Sequence, residues 1–160
     1  MALNAQIMLS ILAHETSAGD LSRTLRATPA SYALSLTDGT GANQAQIVWS
    51  DSRIAPANDE DGTGLGSFTE DGVNYSFSSV KVIYIRNTGT VELLWAGGEW
   101  PTGPNPGVGP AIKIRPGGVV FMAAPDATGW ATANSALRID NQTATNGSYE
   151  VVLIGEGTIT

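Results

Sequence analysis

The chain contains no cysteine and a single histidine, His14, in 160 residues. Without cysteine there are no disulfides, no thiolate chemistry and no cysteine-ligated zinc. A serine triad would have to recruit His14 as its base. That residue ends an alternating stretch beside Glu15, a setting in which a lone histidine is usually structural or solvated. Charge is also scarce. Charged residues make up 14% of the chain, against about 25% in ordinary soluble domains. A Ser/Thr/Asn-rich surface of this kind either meets other protein or is simply hydroxyl and amide rather than ionic.

The eight basic residues are scattered and the net charge is −7. Phosphate binding needs a basic stripe, so the balance argues against nucleic acid as a direct ligand. There is no run of 18 apolar residues to cross a membrane. The opening Met1-Ala2-Leu3-Asn4-Ala5-Gln6 lacks the basic region of a signal peptide, so the product is expected to be soluble and cytoplasmic when made.

What the chain does have is a period of two. Leu3, Ala5, Ile7, Leu9, Ile11 and Ala13 share one face, and Asn4, Gln6, Met8, Ser10, Leu12 and His14 the other. That spacing predicts a long half-buried strand. Residues 14–31 turn polar and read as an extended connection with one short turn near Leu21–Leu25. Tyr32, Leu34 and Leu36 alternate into Asp38-Gly39-Thr40-Gly41-Ala42-Asn43, and Ala45, Ile47 and Trp49 alternate away, which predicts a hairpin. Residues 56–66 read as an acidic, glycine-rich loop. Strands near Phe68 and at Val73–Phe77 flank Glu70-Asp71-Gly72. The most apolar stretch, Val80–Ile85, is expected to be central and covered on both faces. Asn87-Thr88-Gly89 turns the chain into Val91–Trp95, and Pro116-Gly117-Gly118 joins Ile112–Arg115 to Val119–Ala123 as another hairpin. Segments at 130–133, 137–139 and 149–154 complete nine or ten strands.

Short strands at this spacing, with no helical crossover, predict an all-β protein. The expectation is a single domain over residues 1–160, an antiparallel β-sandwich of jelly-roll-like type. Residues 1–31 supply the first strand and its connection, and 32–155 the sandwich core. With about 160 residues such a domain buries roughly 70% of its unfolded surface.

No constellation of catalytic residues emerges, and nothing calls for a cofactor or metal. Residues 58–62 resemble a calcium loop, but alignment on Gly62 puts Ala57 and Phe68 where ligands are required. Glu70 and Asp71 are adjacent, so in a strand they point to opposite faces, unlike a glycosidase pair. Gly62-Thr63-Gly64-Leu65-Gly66 lacks the Lys-Ser/Thr end of a phosphate loop. Asn74, Asn141 and Asn146 match a glycosylation pattern that chance readily produces here. Trp49, Trp95 and Trp130 fall in strands and read as core. Trp100 lies in the Gly/Pro-rich segment 97–110 with Pro101 and Pro104, where its ring packs either within the chain or against another subunit or partner.

Several stretches together resemble a family of small tailed-bacteriophage virion proteins. They are Tyr32–Ala45, continuing to Trp49-Ser50-Asp51-Ser52-Arg53, the strand Val80–Asn87, Pro116-Gly117-Gly118-Val119, Ala124–Trp130 and Tyr149–Gly155. The resemblance implies a β-sandwich building block of the particle. Its favoured role is a capsid decoration (cement) protein, a homotrimer bound outside the shell to the major capsid protein, with no part for nucleic acid or membrane. A tail, baseplate or fibre component, able to bind host glycan, is the alternative. On this reading Arg23 and Arg26, in the polar stretch 14–31, bridge subunits, dock on an acidic partner or pack as ordinary surface. Trp100, Pro101 and Pro104 join them as candidate contacts.

Overall fold

A computed structural model describes residues 2–12, 14–17, 23–26, 30–95, 112–132 and 135–160. These residues form fifteen strands: β1 (Asn4–Ile11), β2 (His14–Ser17), β3 (Arg23–Arg26), β4 (Ala30–Asp38), β5 (Gln44–Ala45), β6 (Ile47–Ala55), β7 (Asp59–Gly64), β8 (Phe68–Glu70), β9 (Val73–Asn87), β10 (Leu93–Trp95), β11 (Ile112–Ile114), β12 (Val119–Ala123), β13 (Trp130–Ala131), β14 (Ala136–Asn141) and β15 (Gly147–Ile159). The class is all-β and antiparallel, in sandwich-like layers, with β4–β5 the only parallel pair among the described strands.

The central sheet runs β12-β9-β15-β6, and short β8 and β13 also pair with β9. Period two along β9 and β15 sends alternate side chains to opposite faces. Ile83, Ile85, Tyr149, Val151 and Leu153 point one way, into a core completed by Leu93, Trp95, Ile114, Leu137 and Ile139 from the sheet β11-β10-β14-β7. Val82 and Ile154 point the other way and pack under Leu34, Leu36 and Ala45 of the sheet β1-β4-β5. The Val80–Ile85 strand is therefore covered on both faces, as its sequence predicts. Each of its fully buried isoleucines contributes about 1.5–3 kcal/mol.

A bulge interrupts this sheet where Ile154 opposes Val82 but Gly155 opposes Val80, leaving Lys81 unopposed. The backbones approach closely there. A Cβ on Gly155 would lie 2.1 Å from the Ser79 carbonyl oxygen, so only glycine fits.

Several connections differ from the sequence expectation. The segment 38–43 does not close a hairpin: β4 pairs with β1, and β6 pairs with β15 in the central sheet. Pro116-Gly117-Gly118 likewise passes between sheets, from β11 on β10 to β12 on β9. Alternation specifies which face of a strand is buried, not which neighbour it takes. Residues 59–64, expected to loop, form β7 on the edge of the second sheet, paired with β14, where acidic side chains tolerate solvent. Glu70-Asp71-Gly72 does make a tight hairpin. Asp71 (φ 49°) and Gly72 (φ 78°) take the two positive angles of a type I′ turn, and Phe68 lies opposite Tyr75.

Candidate interaction surface

The N-terminal quarter of the chain builds a two-stranded ribbon. β1 and β4 pair without interruption from Asn4↔Thr37 to Ile11↔Ala30. Beyond them β2 and β3 pair from His14↔Arg26 to Ser17↔Arg23, shifted in register by one residue. At the described residues 14–17 and 23–26, paired strands stand where an extended connection over residues 14–31 is expected.

The base of the ribbon is anchored. Leu3, Ala5 and Ile7 pack with Leu34 and Leu36 over the central sheet. Further out it leaves the body, although the apolar alternation does not stop. Leu9 and Ile11 continue the inward face yet are 45% and 59% exposed, and Met8 on the opposite face is 87% exposed. Leu12 and Tyr32 are exposed too. Tyr32 is steadied by a tilted contact with Phe121, ring centroids 6.0 Å apart. Between β1 and the central sheet lies an apolar groove of ≈ 410 Å³, walled by Ile7, Met8 and Leu9 and floored by Val82, Tyr84 and Val152. Exposed apolar side chains beside an apolar groove make this end of the ribbon the candidate interaction surface. No Asp, Glu, Lys or Arg precedes Glu15 in the chain, so contact here desolvates no ionised side chain.

Two polar centres, which sequence reasoning missed, stiffen the body behind this surface. At the bulge, fully buried Lys81 sets its Nζ 2.7 Å from Glu156 Oε1 and donates to the Gly41 carbonyl at 2.7 Å. One ammonium thus ties β9, β15 and the β4–β5 turn. Across the body, Arg53 makes a paired contact with Asp61, at 2.7 Å from Nε and 2.8 Å from Nη2. Tyr149, cross-strand from Arg53, donates its hydroxyl to Asp61 at 2.8 Å. Burial alone would raise the Asp61 carboxyl, but the hydrogen bonds from Arg53 and Tyr149 overcome it and hold the group below its usual value. Burial pushes the Tyr149 hydroxyl up, and the Asp61 charge adds to that. The hydrogen bond to Asp61 raises the Arg53 guanidinium further. Nothing in the sequence pairs residues so far apart; the Tyr149↔Arg53 register does.

Two buried asparagines repeat one device at strand ends. Asn87 Nδ2 donates to the Val91 and Ile114 carbonyls, and its Oδ1 accepts from Gly89 N–H. Asn141 Nδ2 donates to the Ala55 and Thr145 carbonyls, and its Oδ1 accepts from Thr143 N–H. The Asn141 amide is thus fully engaged inside the protein, so its match to the glycosylation pattern is a coincidence of a structural motif.

Of the residues singled out from sequence, Arg23 and Arg26 stand at the two ends of β3, opposite Ser17 and His14 in register. Trp100, Pro101 and Pro104 lie outside the described residues. Trp49 and Trp95 are core, and Trp130 packs against it partly buried. Glu70 lies 3.4 Å from Arg53 Nη1, while Asp71 occupies the β8–β9 turn. No group of three or more acidic or histidine side chains able to hold a metal occurs among the described residues. No protein-family profile matches the chain, and neither does any curated protein or any solved structure.

Proposed function

We propose that this chain is a structural component of a tailed-phage virion that decorates the outside of the capsid. It would be held there against the major capsid protein as a homotrimer and would stabilise the head. The resemblance of residues 30–155 to small virion proteins suggests the setting. The observation that carries the role is the ribbon, whose apolar face runs past the body that should cover it. A chain that leaves Leu9, Ile11 and Leu12 in water is shaped to meet another protein. The layered body behind it, pinned by Lys81–Glu156 and Arg53–Asp61, supplies the stiffness a brace requires. Locating the chain on purified particles tests the reading. Density outside the shell is expected; its absence from the head, or confinement to the tail, rejects decoration.

A further inference from the structure

Among the described strands β1 pairs only with β4, which leaves its outer edge open. Its eight-residue register is free of bulges, and no proline, glycine or charged residue interrupts it. Unpaired N–H and C=O groups in a straight apolar strand are a template for another strand. We infer that β1 pairs antiparallel with β1 of a second copy of this chain, about a two-fold axis at Met8.

Charge argues for a second copy as the occupant. The chain carries −7 overall, yet none of its ionised side chains precedes Glu15, so like meets like here without repulsion. Geometry sets the register. Residues opposite each other in an antiparallel pair share a face, and an axis at Met8 uses every residue from Asn4 to Leu12. Leu9 then lies opposite Ile7 of the second copy, and Ile11 opposite its Ala5. The two inward-facing side chains that overhang their own body are carried beside the anchored end of the other strand. That end borders the groove floored by Tyr84 and Val152. The contact is isologous and extends the sheet β5-β4-β1 across the axis. A contact made by one added strand lies toward the small end of specific interfaces, with the backbone ladder adding to it. The inference does not rest on the virion reading. In a shell-bound trimer the same contact would link one trimer to the next.

The absence of cysteine makes the test clean. In M8C the two new thiols face each other across the axis, with Cα atoms about 5 Å apart, within disulfide range. In Q6C they are separated by four residues, about 13 Å. Under mild oxidation M8C is expected to give covalent dimers at least tenfold faster than Q6C. In sedimentation the L9K/I11K double variant, with an unchanged thermal melt, is expected to have half the mass of the wild-type species. Equal crosslinking of the two cysteine variants would overturn the inference. So would a wild-type chain that stays monomeric, or a mass unaffected by the lysines in a folded variant.

Discussion

Lys81 carries a charge into a fully buried site, where an ammonium persists only if its partners replace water. Glu156 and the Gly41 carbonyl do so at 2.7 Å each. Removing the lysine alone strands Glu156 against an apolar neighbour, so Lys81→Met is expected to cost about 3 kcal/mol in urea unfolding. The Lys81→Met/Glu156→Gln double variant should regain part of that loss; if it does not, the pair is not what holds the bulge. At the second centre, the Asp61 carboxyl lies below its ordinary value of 3.8. A depressed carboxyl stabilises the fold fully above the unfolded-state value and loses that contribution as pH falls through the folded-state value. Asp61→Asn is therefore expected to lower stability by about 2 kcal/mol at neutral pH. It should also flatten the loss of stability between roughly pH 5 and pH 2, measured by denaturant midpoints. None of this was readable in sequence. Lys81 sits in an apolar alternation, and Asp61 in what reads as a solvated acidic tip, until cross-strand pairing supplies their partners.

Elements were legible wherever one period ran unbroken. The stretch from Val80 to Ile85 announced a doubly covered strand, and Glu70-Asp71-Gly72 marked the break between the strands at Phe68 and Val73–Phe77, because local chemistry decides both; the type I′ geometry of that break came from the fold. Pairing was not legible. The turns at 38–43 and 116–118 look like hairpin loops but carry the chain between sheets. Strand choice depends on neighbours contributed from across the chain. β9 and β15 form the longest ladder, so damage there should propagate. Ile83→Ala, at a fully buried position, is expected to cost about 3 kcal/mol, whereas Ile54→Ala, 61% exposed on β6, should change stability by less than about 0.5 kcal/mol. Comparable losses at the two sites would contradict a core centred on the middle sheet.

For the molecule as a whole, a stiff body and an outlying ribbon divide the work. Two hydrophobic clusters on opposite faces of one sheet hold the body, and the ribbon presents apolar surface that the body leaves uncovered. The ribbon was half visible beforehand. Alternation from Leu3 to Ala13 gave the strand, but only the fold reveals that the alternation outruns its cover. Arg23 and Arg26 prove to belong to its distal hairpin, not to a loose connection. The central claim, that this chain serves by fitting against the shell of a particle, is tested most directly by its copy number relative to the major capsid protein in purified virions. Quantitative mass spectrometry should find it in near-stoichiometric amounts, hundreds per particle. A chain missing from the virion, or present in only a few copies, would contradict the account.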